Sequence, residues 1–547
     1  MRAFSASFAA AVLVVALQPP SQAQPSSIGQ WTQPFQLPLI AMHAAMLPTG
    51  KVLLYSAEHG VPGVQAFLLD PVTLATNEVA PPSPWIPACS GHSFLANGLL
   101  LVTGGQVNSN PPTGTMECFV FNPFTRQWIR IEDTRHGRWY PTNVTLGDGR
   151  VATFSGLDET GDFNPDIELW DSNASNNWQL LGDRLIDYYP HLHLLTNGLV
   201  FRSGPNNSGT TDTYNVNNNV WTFVASLNDP GRFDSPSVML PPNPDRIMVM
   251  GGQNFTNQPV SSAEIIDLDS PSPHWTLTAP MHYPRLDFNA AILPDGKVFV
   301  VGGRSNYAPT AIYVFTPEIF DPQALTWTTV APHQIPRWYH STAILLPDGR
   351  VLVAGSDDEP SGEIYSPPYL FQGTRPVIQS APNLILYGQS LSISFTSSTA
   401  NNRVALIRNS CVTHAVNMDQ RYVRLADLAN GSGTYSVPAP ANPNVAPPGY
   451  YMLYVVDQNG VPSVSASVQV LPAAPGPLRI LDAHLSGGSM QLSWSFDFPN
   501  VTVQTSGSLG SGETWVPVSA ISTIQQGRFA ITVPATSAAA FFRLSSQ

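Results

Sequence analysis

Five side chains that could do chemistry stand at matching points of a repeated sequence pattern. They are Cys89, Tyr140, Tyr189, Tyr339 and His340, and each lies at or next to the start of a repeat. Thiols, phenols and imidazoles exchange protons, and imidazole also binds metal ions. A tyrosine at the start of a strand is more often a half-buried packing residue. These residues therefore form a functional site only if the fold brings them together.

Two further groups offer other chemistry. His191 and His193 alternate in YPHLHLL and would share one strand face, a spacing that can hold a metal ion. The sequence shows no third ligand beside them, so packing or hydrogen-bonding roles are favoured over a metal site. Cys118 and Cys411 could form a disulfide bond in an exported protein, and the sequence leaves that pairing open.

A sevenfold repeat sets the architecture that would position these residues. Each repeat has a polar start, an alternating strand, a Gly-containing turn, a second strand and a small-residue end, as in YHSTAILLPDGRVLVAGS. The repeats are 44 to 53 residues apart and start at His43, Cys89, Tyr140, Tyr189, Phe233, Leu286 and Tyr339. Kelch-type propeller blades have a period of roughly 50 residues. Asp-Gly or Asn-Gly between two hydrophobic runs is typical of a tight hairpin.

Most repeats continue into a second strand pair that ends on tryptophan. These tryptophans are Trp128, Trp178, Trp221, Trp275 and Trp327. The seventh repeat does not reach one, but the strand IGQWTQPFQL before the first repeat has Trp31 at the matching place. We expect this N-terminal strand to complete the last blade, because closure removes an exposed sheet edge. The sequence therefore predicts an all-β fold with a seven-bladed kelch-type β-propeller over residues 28–371.

Two smaller all-β segments follow the propeller. Residues 374–471 contain short strands separated by turns and are predicted to form an immunoglobulin-like (early-set) β-sandwich. The linker PAAPG leads to residues 477–547, a small β-rich module that resembles the immunoglobulin-like modules of exported bacterial proteins. With 40 glycines and 53 prolines, the chain has too many turn positions for long helices.

Composition and the first residues exclude several classes of function. The chain has 24 Lys and Arg against 37 Asp and Glu, and this net charge of −13 argues against binding nucleic acid. Residues 1–23 contain Arg2 and an apolar run from Phe8 to Leu17, the layout of a signal peptide cleaved after Ala23. No later segment is apolar for long enough to span a membrane. We therefore expect a secreted protein, extracellular or periplasmic, without a membrane span.

Five motifs surround the candidate residues. They are CSGHS from Cys89, GRWYPTNVTLGDGRV around Tyr140, RWYHSTAILLPDGRV around Tyr339, THAVNMDQR around His414 and PPGYYMLYVVDQNGVPSV from Pro447. Together they resemble the galactose oxidase and glyoxal oxidase family of copper radical oxidases, and they look closest to its bacterial glyoxal oxidase-like branch. The resemblance runs from the Trp31 region to about Leu471 and does not cover the last module.

The resemblance implies a copper site and a role for each matched residue. Tyr140 matches the family's equatorial copper-ligating tyrosine, whose ring is joined by a thioether bond to a cysteine that Cys89 matches. Tyr339 matches the axial tyrosine that accepts the substrate proton, and His340 and His414 match the two imidazole ligands. Imidazole nitrogens and phenolate oxygens suit Cu(II), whereas structural zinc prefers a cluster of thiolates. Oxidation of the substrate removes two electrons while copper exchanges one, so a radical at the Cys89–Tyr140 thioether would store the other.

Tyr339 and His340 impose a geometric condition on this site. Neighbouring side chains of a regular strand point to opposite faces, so both cannot reach one ion from an ideal strand. We expect the chain to approach this strand irregularly, and the preceding Pro336 is consistent with an extended loop.

The sequence departs from the family in the residue that covers the thioether ring. The family's tryptophan falls in the segment SGLDETGD, where Asp158 takes its place. Asp158 and Glu159 are about equally consistent with a solvated loop and with contact to substrate. Trp139 and Phe255 are candidates for a replacement aromatic side chain.

The sequence therefore predicts a secreted mononuclear copper oxidase. It would convert an aldehyde or a primary alcohol and O2 into the oxidised product and hydrogen peroxide. The alternative is a non-catalytic kelch propeller that binds carbohydrate or protein through its loops. Cys89 separates the two hypotheses, because a binding module has no need of a cysteine beside four matched ligands.

Overall fold

The computed structural model describes residues 24–56, 65–82, 84–109, 111–174, 178–306, 311–509, 513–535 and 540–546. The signal peptide predicted for residues 1–23 lies outside them. Helix is confined to the short turns Pro25–Ile28 and Pro368–Phe371 in these described ranges, so the all-β prediction is confirmed. Over the same ranges, no helix has the length and apolar character needed to cross a membrane.

Within the described residues, seven antiparallel sheets follow one another along the chain, and we call them blades 1 to 7. Blades 1 and 2 contain His43–Met46, Val52–Ser56, Gln65–Leu69 and Thr76–Glu78, then Gly91–Phe94, Leu100–Thr103, Cys118–Asn122 and Gln127–Arg130. Blades 3 and 4 contain Thr142–Thr145, Val151–Phe154, Asp166–Trp170 and Trp178–Asp183, then His191–Leu194, Val200–Gly204, Thr210–Asn215 and Val220–Ser226. Blades 5 and 6 contain Ser237–Met239, Arg246–Met250, Ala263–Asp267 and Thr276–Leu277, then Leu286–Ile292, Val298–Arg304, Glu318–Asp321 and Thr326–Thr329. Blade 7 contains Ser341–Leu345, Val351–Gly355 and Ser361–Ser366, together with the N-terminal strands Gln30–Trp31 and Phe35–Gln36.

Two short sheets lie between strands of the blades. They pair Gln106–Ser109 with Pro112–Gly114 and Gly231–Phe233 with Gln253–Asn254.

The N-terminal strand closes the ring of blades, as the sequence predicts. Trp31 pairs with Tyr365 in the outer part of blade 7. Its indole Nε1 donates a hydrogen bond to the carbonyl oxygen of Ala331, 2.7 Å away, just after blade 6. Trp327 of blade 6 makes the corresponding contact with Ala279 at 2.8 Å, just after blade 5. Trp31 therefore joins blade 7 to blade 6 through the same kind of contact by which Trp327 joins blade 6 to blade 5.

The inner strands are buried on both faces because neighbouring blades pack against them. In blade 7, Ser341–Leu345 and Val351–Gly355 are buried along their whole length and are largely aliphatic. The turn between them closes with a 2.8 Å hydrogen bond from the Leu346 N–H to the Arg350 carbonyl oxygen. Gly349 takes a φ of 83° in this turn, a left-handed conformation that glycine adopts at low cost.

The propeller is followed by a β-sandwich, which confirms the predicted second fold. One sheet contains Val377–Ser380, Ser390–Thr396 and Gly433–Pro438, and the other contains Leu384–Leu386, Asn402–Arg408, Tyr422–Leu428, Gly449–Asp457 and Ala466–Leu471. Its core includes the buried side chains of Ile393, Phe395 and Leu453.

A hairpin from the sandwich enters the propeller. Its strands are Cys411–Thr413 and Val416–Asn417, and we call it the central hairpin. Cys411–Thr413 pairs antiparallel with the innermost strand of blade 1, where His43 stands opposite Thr413. Both turn residues, His414 and Ala415, have positive φ values of 46° and 68°, as a tight two-residue hairpin turn requires.

Polar side chains at the base of the central hairpin bind several blades. Asp419 Oδ2 accepts a 2.7 Å hydrogen bond from the Phe94 N–H of blade 2. Gln420 Oε1 accepts one of 2.8 Å from the Ile292 N–H of blade 6. Because these contacts reach both sides of the ring, they fix the hairpin within it.

The last module consists of two further sheets and packs against blades 2 and 3. Its strands are Asp482–Ser486, Ser489–Ser495, Thr523–Gln525 and Arg528–Pro534 in one sheet, and Val501–Ser506, Val516–Pro517 and Phe541–Ser546 in the other. Asn97 and Asn122 of blade 2 donate side-chain hydrogen bonds to the carbonyl oxygens of Phe496 and Pro499, at 2.7 and 2.8 Å. Phe496 also packs near Trp170 of blade 3, with ring centroids 6.2 Å apart.

Candidate metal centre

The residues that start several blades adopt a left-handed backbone conformation. The φ angles of Cys89, Tyr140, Tyr189 and His340 are 57°, 69°, 41° and 63°. This conformation costs a non-glycine residue about 1–2 kcal/mol, so surrounding contacts must hold it. Main-chain hydrogen bonds of 2.9 Å join Tyr140 N–H to the Cys89 carbonyl and Tyr189 N–H to the Tyr140 carbonyl. These starts thus form a connected series from blade 2 to blade 4.

The left-handed turn also meets the geometric condition on Tyr339 and His340. The first strand of blade 7 begins only at Ser341, so both residues precede the regular sheet. Their rings lie side by side, with centroids 4.0 Å apart and planes inclined by 36°. The irregular approach expected from the sequence therefore places both side chains in one region.

Buried ion pairs recur at the approaches to blades 3, 5, 6 and 7. Each pair joins an arginine one or two residues before the start of the repeat to a glutamate of the third strand. The pairs are Arg138–Glu168, Arg232–Glu264, Arg285–Glu318 and Arg337–Glu363, with N–O distances of 2.7, 2.7, 2.8 and 3.0 Å. Arg138 and Arg337 also donate to the carbonyl oxygens of Ser155 and Gly355, each at 2.9 Å. The sequence analysis missed these pairs, although the recurring glutamates of DIELW, AEIID, PEIFD and GEIYS signal them.

Two phenols and two imidazoles meet where the blade starts face the central hairpin. The hydroxyl groups of Tyr140 and Tyr339 are in contact. The rings of His340 and His414 have centroids 4.7 Å apart and are nearly perpendicular. Tyr140 and Tyr339 lie 4.8 and 5.2 Å from His414 by the same measure. Residues from blades 3 and 7 and from the sandwich are therefore brought together.

Hydrogen bonds at Nδ1 fix the orientation of both imidazole rings and leave their Nε2 atoms as possible metal ligands. His340 Nδ1 donates to Asp357 Oδ1 at 2.6 Å, and the buried Nε2 has no hydrogen-bond partner. His414 Nδ1 lies 2.6 Å from Thr413 Oγ1, whose own proton goes to the Met42 carbonyl oxygen at 3.0 Å. His414 Nδ1 must therefore be the donor, which leaves a lone pair on Nε2. Histidines that bind metals are usually oriented in this way, with the second ring nitrogen donating to an acceptor.

Cys89 completes the cluster. Its Sγ lies 3.6 Å from His414 Nε2, and the ligand atoms of Cys89, His340 and His414 are all within 4.8 Å of one another. Among the residues that the structure describes, this trio is the group of His, Cys, Asp or Glu that could hold a metal ion. Cys89 and Tyr140 also belong to one buried cluster, to which Trp139 packs.

Burial favours the neutral forms of Tyr140, Tyr339, His414 and Cys89 in the absence of a cation. It raises the pKa of both Tyr140 and Tyr339, and it lowers the pKa of His414. Burial likewise raises the pKa of the Cys89 thiol to about 12. A cation would favour the ionised phenols, so metal binding here would be coupled to loss of protons.

Trp139 covers the ring of Tyr140. The two ring centroids are 3.9 Å apart, with the planes inclined by 42°. Phe255, the other aromatic candidate, is 58% exposed and does not line the cavity at the site. Trp139 is therefore the candidate that the structure places against Tyr140.

Asp158 stabilises its own loop, and Glu159 joins that loop to the segment before Tyr140. Asp158 Oδ1 accepts hydrogen bonds from the Thr160 N–H at 2.8 Å and the Asp162 N–H at 3.1 Å. Glu159 accepts from the Gly137 N–H at 2.7 Å. Neither residue lines the cavity at the site, which favours the loop interpretation over contact with substrate.

A small cavity of about 110 Å³ opens onto the cluster. Tyr140, Tyr339 and His414 form part of its wall, and Tyr188 and Asp234 lie on other sides. A volume of this size accommodates a small molecule. A larger cavity of about 660 Å³ lies between blade 6 and the sandwich and includes none of the clustered residues.

The other sequence candidates do not join the cluster of possible metal ligands. His193 Nε2 lies 2.8 Å from Ser237 Oγ, which matches the favoured hydrogen-bonding role, and His191 lines the small cavity. Cys118 and Cys411 are both free and buried, so the open question of a disulfide bond is answered against pairing. Cys411 Sγ instead donates to Asp419 Oδ2 at 3.0 Å, at the base of the central hairpin.

Two family descriptions match successive parts of the chain. Residues 82–367 match the family described as "Glyoxal oxidase N-terminus". Residues 375–470 match the family described as "Galactose oxidase-like, Early set domain". The first match covers most of the propeller, and the second covers the sandwich that supplies His414.

Individual relatives agree with both descriptions. Galactose oxidase of Gibberella zeae is 30% identical over 491 residues, covering 81% of this chain and 71% of the relative. Aldehyde oxidase GLOX of Vitis pseudoreticulata is 30% identical over 459 residues, covering 73% of this chain and 85% of the relative. A solved structure described as a fungal alcohol oxidase of the AA5 family in complex with copper superposes with a TM-score of 0.71 at 26% identity. That superposition covers 81% of this chain and all of the other.

Proposed function

Because this chain belongs to the galactose oxidase and glyoxal oxidase family of copper radical oxidases, we propose that it oxidises a small primary alcohol or aldehyde with O2. The products would be the oxidised substrate and hydrogen peroxide. The observation that carries this proposal is the meeting of Tyr140, Tyr339, His340 and His414 with Cys89 beside them. A non-catalytic kelch propeller, the alternative, gives no reason for this cluster.

The residues present fit a copper ion. Two imidazoles with Nε2 lone pairs and two phenols form a set of nitrogen and oxygen donors that suits Cu(II). The unpartnered buried Nε2 of His340 supports this assignment, because a buried polar atom without a partner is costly. Tyr140, Tyr339, His340 and His414 would hold the ion, which when bound supplies one-electron redox exchange.

The two tyrosines have different proposed roles. Tyr339, as a phenolate, would accept the hydroxyl proton of the substrate, since it lines the cavity in which a substrate would lie. Tyr140, joined to Cys89 by a thioether bond, would hold the second oxidising equivalent as a ring radical. A sulfur substituent donates electron density to the ring and makes such a radical easier to form.

The electron balance explains why the reaction needs both a copper ion and a ring radical. Conversion of an alcohol to an aldehyde releases two electrons and two protons, and O2 takes up both pairs to become hydrogen peroxide. Trp139 would limit access of solvent to the Tyr140 ring, since its ring packs against that ring with the centroids 3.9 Å apart. An aldehyde substrate would react as its hydrate, which offers a hydroxyl group in the same way.

We also propose that the protein is secreted. The basis is the sequence of residues 1–23, whose layout is that of a signal peptide cleaved after Ala23. N-terminal sequencing of protein recovered outside the cytoplasm tests this proposal, and a retained residue 1–23 segment would contradict it.

Substitution Tyr339→Phe tests the oxidase proposal. We expect the copper-loaded variant to lose at least about 100-fold in turnover, the usual contribution of a general base, while it still binds copper. Oxygen consumption and peroxide formation would be measured with glyoxal, glycolaldehyde, galactose and benzyl alcohol. Tyr435→Phe, in the sandwich, is the matched control and should leave turnover unchanged. Wild-type turnover by the Tyr339 variant would contradict the role of Tyr339.

A further inference from the structure

The main-chain amide of Cys89 is held by a histidine from the neighbouring blade. His43 lies on the innermost strand of blade 1 and is completely buried. Its Nε2 accepts a hydrogen bond of 3.0 Å from the Cys89 N–H. Because Cys89 has a left-handed backbone, the direction of its side chain depends on contacts of this kind.

The protons in this region have one consistent arrangement. His43 Nε2 accepts from Cys89, so the ring proton is on Nδ1, which lies 3.2 Å from His92 Nδ1 and donates to it. The Tyr55 hydroxyl group lies 2.7 Å from the same His92 nitrogen and 3.3 Å from Ser90 Oγ. Burial lowers the pKa of both histidines, so both are neutral, as this arrangement requires. We call His43, His92 and Tyr55 the imidazole network.

The ring of His43 cannot turn away easily. It stacks on Tyr55 with centroids 4.2 Å apart and planes inclined by 7°. The preceding residue, Met42, places its Sδ 3.9 Å from the sulfur of Cys89. The residue paired with His43 across the sheet is Thr413, whose hydroxyl group orients His414. Met42 therefore contacts the sulfur of Cys89, and the strand that follows it contacts the amide of Cys89 and lies beside a proposed copper ligand.

We infer that His43 is a positioning residue that holds the Cys89 sulfur in reach of the Tyr140 ring for formation of the thioether bond. This inference rests on the proposed function. In the reaction, the S–H bond of Cys89 and one ring C–H bond of Tyr140 break, and a C–S bond forms. Two electrons and two protons leave the protein and reduce one O2 to one hydrogen peroxide. His43 takes no part in the electron transfer and acts by fixing the geometry of Cys89.

The two nitrogens of His43 can be tested separately by substitution. The amide group of glutamine lies near the position of Nε2, so His43→Gln retains an acceptor for the Cys89 N–H. The amide group of asparagine lies near the position of Nδ1, so His43→Asn retains the contact with His92 and loses the acceptor for Cys89. Tyr55→Phe removes a hydroxyl group from the same network without touching Cys89, and it is the matched control.

The readout is the rate at which the cross-link forms when purified copper-free protein receives copper in air. Intact mass reports the loss of two hydrogens, and alkylation of the denatured protein reports the remaining Cys89 thiol. We expect His43→Asn to cross-link about tenfold or more slowly than the wild type, because the Cys89 amide is left without a partner. His43→Gln and Tyr55→Phe should stay within about threefold of the wild type. Copper stoichiometry and melting temperature identify variants that bind and fold normally.

The outcomes separate this inference from the function on which it rests. A wild-type protein that never loses two hydrogens contradicts the proposed thioether cofactor itself. If the wild type cross-links, equal rates for folded His43→Asn and wild type overturn the role of His43. So does a His43→Gln or Tyr55→Phe variant that slows cross-linking tenfold or more, because the contribution would then come from the whole network. If His43→Asn does not fold, slowing of tenfold or more in either of these last two variants still overturns the inference.

Discussion

The approaches to blades 2 and 3 are held by different chemistry, although both carry residues of the same candidate site. Before Tyr140, the charged side chains of Arg138 and Glu168 form a fully buried ion pair. Before Cys89, Trp85 and Phe119 occupy the corresponding places and stack with ring centroids 4.2 Å apart. Trp85 Nε1 donates to the Gly104 carbonyl oxygen at 3.2 Å, as Arg138 donates to Ser155.

The register of the strands supports this correspondence. Glu168 stands opposite Thr153 in blade 3, and Phe119 stands opposite Val102 in blade 2. Each opposite residue lies two positions before the carbonyl that accepts the hydrogen bond. The propeller thus fills one structural role with either a charged or a neutral pair. The neutral pair and the neutral imidazole network both lie on the side of the site where the Cys89 sulfur is held.

The largest expected effect comes from breaking the charged pair. Glu168→Leu would leave the buried guanidinium of Arg138 without its counter-charge, which costs about 3–5 kcal/mol of unfolding free energy. Urea unfolding of the purified protein measures this loss. Glu117→Gln is the control, since its partner Arg130 is exposed and such pairs contribute at most about 1 kcal/mol. A loss below that level for Glu168→Leu would remove the contrast between the two approaches.

A smaller effect is expected from the neutral pair. Trp85→Phe keeps the ring against Phe119 but leaves the Gly104 carbonyl without its donor, at a cost of about 1–3 kcal/mol. Trp327→Phe removes a similar indole hydrogen bond in blade 6 and should cost about the same. Only Trp85→Phe should also slow formation of the Cys89–Tyr140 cross-link. Equal cross-linking rates in the two variants would show that Trp85 supports the blade and not the position of Cys89.

The smallest effect is a change in the dependence of stability on pH. Burial lowers the pKa of His92 to about 3, so this histidine stays neutral in the folded protein while it takes up a proton when unfolded. Its contribution is complete above pH 7 and is lost as the pH falls toward 3. His92→Asn keeps an acceptor for Tyr55 but does not titrate. Between pH 6.5 and 5.5 the wild type should lose about 1 kcal/mol more than this variant, as measured by urea unfolding.

Much of the fold could be predicted because the repeat is visible in the sequence. The Asp-Gly turns, the tryptophans and the unpaired strand around Trp31 indicate blades and their closure without reference to distant contacts. The pairing of Trp31 with Tyr365 confirms the predicted closure. The boundaries at residues 371, 374, 471 and 477 stay predictions, since the strands alone do not define where one domain ends.

The site was predictable only in part. The resemblance named Cys89, Tyr140, Tyr339, His340 and His414, and the structure brings these side chains together, while their roles remain proposed. The residues that orient them were missed. Asp357, Thr413 and His43 reach their partners because of the register between strands and the left-handed backbone turns. No local sequence pattern predicts either feature. The resemblance likewise drew attention to Asp158, while the ring that covers Tyr140 belongs to its own neighbour in the chain, Trp139.

The central hairpin has a consequence for the order of events during synthesis. His414 is made after all seven blades, and it reaches its place only when Cys411–Thr413 pairs with the first of them. A ribosome-bound chain that has completed the propeller therefore still has an incomplete set of candidate ligands. Chains cut short before the hairpin would lack His414, and under the proposed function they would be unable to oxidise a substrate.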